Sequence, residues 1–212
     1  MYNTFRLVSL EDVVIMKKIK VTLLIALTAI LLMGCGSAFK TDESAIKVNK
    51  NGKVVGASIE SFDKSYYSEE ELSAFVENSI KDYQKDNGDS SVKLIDLKVE
   101  EGKATLFIEY ATPTDYSKFN GEELFVGTIL DAMAAGYNLD GTYYTVDGVT
   151  LGATTTIDLI DDDLKVVVLK EKLKVIVPGK IKYVSDNISV IDKNTVTPSN
   201  KDAAGYMVII YK

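Results

Sequence analysis

The chain of 212 residues has no histidine and no tryptophan, and its only cysteine is Cys35. Without histidine it lacks the commonest general base and the commonest zinc ligand. One cysteine excludes an internal disulfide. Catalysis would therefore fall to carboxylates, lysine, serine, threonine or tyrosine. The missing indole weakens a sugar-stacking reading, although twelve tyrosines keep it open. No G-x-S-x-G nucleophile pattern occurs in residues 36–212. Positive charge is also scarce. Residues 36–212 carry 20 basic and 29 acidic groups, a net of −9. Such a domain is a poor non-specific binder of nucleic acid or anionic lipid, so no nucleic-acid partner is expected. No apolar run reaches the roughly 18 residues that a membrane-spanning helix needs.

The longest apolar run, Val21 to Gly34, is 14 residues. That length is right for the h-region of a cleaved signal. Lys17, Lys18 and Lys20 precede it as a basic n-region, and the four residues Leu32-Met33-Gly34-Cys35 close it. These four resemble the lipobox of bacterial lipoproteins, with Met33 a mild departure from the usual pattern. The resemblance implies cleavage between Gly34 and Cys35 and a diacylglyceryl thioether on Cys35. It places the protein at the cell membrane, lipid-anchored on the extracytoplasmic face. An ordinary secretory signal with a chance cysteine, or a buried helix, is the blander account. Residues 1–15 carry Glu11 and Asp12 and no lysine. They read as an upstream mis-start or an n-region extension before Met16, with the signal itself over 16–34.

After the cysteine, residues 35–44 are small and polar and read as a tether. Residues 45–212 form one domain of α+β class, a mainly antiparallel sheet with one long and one short helix packed on it. Strands are expected near 45–50 and 53–61 around Asn51-Gly52. Ser68 and Glu71 make a capping box for a helix over 69–85, with Leu72, Phe75, Val76, Ile80 and Tyr83 on its buried face. A second hairpin turns at Glu101-Gly102, with Ala104, Leu106, Ile108 and Tyr110 inward. Thr114 to Asn120 reads as a loop or single turn. A short helix near 128–135 is capped by Thr128 and Asp131 and closed by Gly136. Its alanines suit internal packing or, as the sharper alternative, a dimer contact. Met207 to Tyr211, apolar throughout, suits a central strand.

No metal or other cofactor is expected. Glu69, Glu70 and Glu71 point in different directions on a helix and suit its N-terminus. Asp140, Asp147 and Gly148 do not match a calcium loop, and Asp161 to Asp163 reads as a turn. The feature best suited to binding is a lysine alternation. Lys170, Lys172 and Lys174 share one phase, with Leu169, Glu171, Leu173, Val175 and Val177 in the other. Pro178 to Lys180 would turn the chain so that Val177 faces Ile181, bringing Lys180 and Lys182 across from the stripe. The five lysines form a candidate site for anions, or else a solvated sheet face.

Three stretches, SFDKSYYSEEEL (61–72), FNGEELFVGTILDAMAAGY (119–137) and VIVPGKIKYVSDN (175–187), resemble a group of uncharacterised lipobox lipoproteins from clostridial-type Gram-positive bacteria. The resemblance implies an exported, lipid-anchored α+β domain and brings no catalytic residues. The expected function is a non-enzymatic binding or structural domain of the envelope. Its partners would be the membrane through the anchor, and a cell-wall polymer or envelope protein. The alternatives are a small solute-binding lipoprotein and a carboxylate-based hydrolase.

Overall fold

The computed structural model describes residues 38–146, 150–154, 159–161, 163–200, 202 and 205–212. The signal run, Gly34 and Cys35 lie outside the described residues, as do Asp147, Gly148 and Asp162. The domain opens with β1 (Ala45–Val48) and β2 (Val54–Ser61), antiparallel with Val48 opposite Val54. The expected turn closes them. The Gly52 N–H donates to the Asn49 carbonyl at 3.0 Å, and Gly52 takes φ +83°, which a side chain would strain.

Helix α1 (Glu69–Asn87) forms where its cap and apolar face predict. The Ser68 hydroxyl accepts the Glu71 N–H at 3.3 Å. Leu72, Val76 and Ile80 are buried, with Phe75 and Tyr83 half-buried against the same core. Strands β3 (Val92–Glu100) and β4 (Lys103–Tyr110) make the second hairpin. Glu101 and Gly102 both have positive φ, +52° and +72°, as a two-residue type I′ turn requires.

The stretch expected as a loop is a helix, α2 (Pro113–Asn120). Thr112 caps it by accepting the Asp115 N–H at 3.0 Å, Pro113 opens it, and Gly121 at φ +70° stops it. Strand β5 (Leu124–Thr128) then runs into α3 (Ile129–Ala134), where Thr128 and Asp131 complete a capping box. Ala132 is buried, whereas Ala134 and Ala135 are exposed.

The rest is strand: β6 (Gly141–Thr145), β7 (Thr150–Thr154), β8 (Lys165–Leu169), β9 (Lys174–Ile176), β10 (Ile181–Ser185), β11 (Ile188–Asp192), β12 (Thr195–Pro198) and β13 (Met207–Tyr211). They build two sheets rather than one. The seven-stranded sheet runs β11-β12-β9-β1-β2-β4-β3, and the six-stranded sheet β5-β8-β13-β10-β6-β7. Every pairing is antiparallel except β1 with β9. The molecule is thus mostly β-sheet with three helices among the described residues.

Two sequence expectations fail at this point. Residues 169–177 do not share one strand, and Pro178 to Lys180 does not close a hairpin. β8 belongs to the six-stranded sheet and β9 to the seven-stranded one, while β10 returns to the six-stranded sheet against β13 and β6. Val177 therefore does not face Ile181 across a turn. The physical reason lies in Val166, Val167, Val168 and Leu169, all at most 1% exposed. A strand apolar on both faces is buried on both faces. With both edges of that strand taken by β5 and β13, the chain passes on to the other sheet through residues 170–173.

One core joins inner-face residues of the seven-stranded sheet (Ile46, Val54, Ile108, Val175) to those of the six-stranded sheet (Val167, Leu169, Ile209) and to α1. A second lies on the far side of the six-stranded sheet under α3. β13 is buried throughout because it sits between these layers, as its apolar run predicts. A third, small cluster covers the outer face of the seven-stranded sheet. There Phe39 stands edge-on to Phe107, with ring centres 5.6 Å apart, over Val55 and Ala57. From Phe39 onward the expected tether is packed against the domain. Asp42 and Glu43 hold Lys174 at 3.1 and 2.9 Å, and the Ser44 hydroxyl accepts the Ile59 N–H at 3.0 Å. Among the described residues no helix is long and apolar enough to cross a membrane.

Candidate functional site

The cleft with the most chemistry lies on the inner face of the seven-stranded sheet. Its floor is Ile46, Gly56 and Ile108, its walls are Tyr110, Tyr116 and Leu173, and Glu122 and Glu171 line it. Its volume is about 260 Å³. Each wall has a local cause. Strand β4 turns Tyr110 inward by alternation. The α2 helix, held by its Thr112 cap, buries Tyr116 to 1% exposure. Glu171 arrives on the crossing between sheets, in the inward phase that its sequence position predicts.

The polar groups are tied together. Tyr116 donates its hydroxyl proton to the Glu171 carboxylate. Tyr110 donates to Asn120 Oδ1 at 3.2 Å, and Asn120 Nδ2 donates to the Tyr116 carbonyl at 2.9 Å. Tyr110 and Tyr116 meet edge to face, 5.0 Å between ring centres. Burial pushes the Tyr116 phenol well above its ordinary range, with the Glu171 charge adding to it, so it stays a donor. Burial also raises the Glu171 carboxyl above its ordinary 4.5; the bond from Tyr116 opposes this and the charge of Glu122 reinforces it. Among the described residues, no lysine or arginine lies within 4 Å of Glu60, Glu122 or Glu171, all of which line this cleft. The cleft is acidic and carries no internal counter-charge.

The five lysines do not form the expected stripe. Lys170 pairs with Glu123 at 3.2 Å. Lys172 donates to the carbonyls of Lys170 and Gly205. The side chain of Lys174 is only 16% exposed under Asp42 and Glu43. Lys180 pairs through its backbone with Lys212, and Lys182 lies at a bulge of β10. Each lysine answers to a different local environment, because residues 170–173 cross between sheets. The structure does not bring the five together.

Ser-x-x-Lys spacings occur at Ser37–Lys40, Ser44–Lys47, Ser61–Lys64 and Ser90–Lys93, of which Ser37 lies outside the described residues. None of the three fully described spacings lies on a helix, where third neighbours share a face. Among the described residues no cluster of acids could hold a metal ion. Tyr110, Tyr116 and Glu122 were not singled out from the sequence as site residues. The available signal was the inward Glu171 together with the Thr112-Pro113 start and Gly121 stop of α2.

Fold and cleft define a two-sheet β domain with a buried tyrosine–carboxylate network. No family model, curated protein or solved structure matches the chain.

Proposed function

We propose that the chain is a membrane-anchored lipoprotein of the bacterial envelope, exported by residues 16–34 and held by lipid on Cys35. On this reading it is a binding or structural domain rather than an enzyme, of the kind its resemblance to clostridial-type lipoproteins implies. The observation that carries the reading is the lipobox at Leu32 to Cys35, placed four residues ahead of the first packed side chain, Phe39. A folded domain directly behind a cleavage site leaves the cysteine as the attachment point. Cells expressing the protein should incorporate labelled fatty acid into it, and Cys35→Ala should abolish the label and release or mis-process the chain. Label retained by the variant refutes the anchor.

A small solute-binding role is the second reading, favoured by the uncompensated acid lining of the cleft. A protonated amine with an apolar body fits that lining, with its charge against Glu122 and Glu171 and its carbons on Ile46 and Ile108. The test turns on the sign of the Glu171 effect. A carboxyl with a raised folded pKa stabilises the fold fully below its unfolded value of 4.5, and that contribution is lost as the pH rises through the folded value. Glu171→Gln keeps an acceptor for Tyr116 and removes the charge. It should melt higher than the wild type at neutral pH, with the advantage shrinking as the pH falls through the raised folded value and gone below 4.5. Primary amines should raise the melting temperature of the wild type and not of the variant. A panel of amines without effect on the wild type eliminates this reading.

A further inference from the structure

The inward column of β2 explains the shape of the tyrosine cleft. Register with β4 puts Val54, Gly56, Ser58 and Glu60 on the inner face of the seven-stranded sheet, opposite Tyr110, Ile108, Leu106 and Ala104 in turn. Gly56 and Ser58 fill little space there. A trough therefore runs along β2, flanked by Ile46 on β1 and by Leu106 and Ile108 on β4. Carboxylates stand at both ends of it. Glu122 and Glu171 line the Gly56 end, beside Tyr116, whose ring an added Gly56 Cβ would meet at 3.7 Å. Glu60, which is exposed, lines the other. Strand geometry puts the Glu60 backbone about 13 Å from that of Gly56.

These carboxylates have room for a cation. The Tyr116 hydroxyl takes Oε2 of Glu171, and Oε1 has no bond among the described residues. Glu60 and Glu122 have neither an ion pair nor a hydrogen bond among the described residues. No lysine lines the trough. Beyond Glu60 the adjoining surface carries Lys103, Lys172 and Lys174, together with Asp63 and Glu101. Lys103 has the opposite phase to Ala104 on β4 and stands on the other face of the sheet. Lys172 donates to the carbonyls of Lys170 and Gly205, and Lys174 is held by Asp42 and Glu43. The trough is thus narrow and apolar along its length and negative at each end.

We propose that it binds a linear diamine, with one ammonium against Glu122 and Glu171, the methylene chain over Gly56 and Ser58, and the second ammonium at Glu60. An unbranched chain suits a channel only one strand wide, and its two charges meet the two sets of acids. The proposal rests on the amine reading of the cleft and adds the second charge and the chain between.

Calorimetric titration of the full-length chain at neutral pH and low ionic strength tests it. Diaminooctane, long enough to reach both ends, should bind Glu60→Gln about fivefold more weakly than the wild type, the scale of one exposed ion pair. High salt should shrink that difference. Octylamine, with one charge, should bind both proteins alike. Diaminobutane, too short to span the trough, should also bind both alike. A fivefold loss for diaminobutane as well would show only the general attraction of a dication to an acidic domain, and overturns the proposal. So does equal binding of diaminooctane to wild type and variant. In that case binding of octylamine to the wild type leaves the cleft as a site for a simple amine. If none of the three amines binds the wild type, the amine reading falls and the diamine with it.

Discussion

Tyr110→Ala is expected to cost about 3–5 kcal/mol of stability, the range for removing a buried aromatic ring. The residue is 1% exposed at the junction of β4, α2 and β2. Its ring meets Tyr116 at 5.0 Å and Phe119 at 5.8 Å between ring centres. It also lies over Gly56, where an added Cβ would stand 3.3 Å from Tyr110 Cε2. The glycine on β2 leaves a gap that the tyrosine fills, so truncation opens a hole that no neighbouring side chain can close. Asn120, fully buried, would also lose its donor. Tyr110→Phe separates the two effects. It keeps the ring and removes only the hydroxyl, at about 1–3 kcal/mol for the unpaired Asn120 oxygen. Chemical denaturation of both variants measures the difference. Equal stabilities would show that the ring itself contributes little.

Gly179→Ala should destabilise the domain by at least about 1–3 kcal/mol, the usual cost of overpacking. A Cβ built there stands 2.3 Å from the Lys212 carbonyl oxygen and 2.7 Å from its carbon. These are backbone atoms, so no rotamer change relieves the clash. The Lys180 N–H donates to that same oxygen at 2.7 Å, and the Lys212 N–H donates to Lys180 at 2.9 Å. The substitution would push β13 off β10 at the point where the chain passes between sheets, with Tyr211 buried beside it. The melting temperature should fall by about 2–4 °C for each kcal/mol. A melting temperature equal to the wild type would mean that the end of β13 yields without cost.

Local signals in the sequence carried over well. The Asn51-Gly52 and Glu101-Gly102 turns, the Ser68 half of its capping box and the Thr128–Asp131 box all depend on groups within four residues of one another, and these formed as read. The partition of the strands into two sheets did not carry over. An alternating pattern states which residues share a face only while the chain stays in one strand. Between Leu169 and Lys174 the alternation persists although the chain has changed layer. That coincidence created the lysine stripe and hid Glu171 as a site residue. The α2 helix was missed for a different reason. Eight residues give too few turns for an apolar period, so only its cap residues could reveal it. The cleft needed both missing pieces, the crossing and α2, and was therefore not readable beforehand. The proposal for Cys35 rests on a linear code that does not depend on the fold.

The position of β13 governs how this domain can come into being. It follows every other strand in sequence, yet it lies between β8 and β10 in the six-stranded sheet. Until Met207 to Tyr211 are available, β8 and β10 have no common partner and the core between the layers is open on one side. β1 likewise waits for β9, well over a hundred residues later. Pairings of such long sequence separation give slow folding, on the order of milliseconds to seconds for β-rich domains. A nascent chain of this topology stays without its central strand until Met207 to Tyr211 have been made.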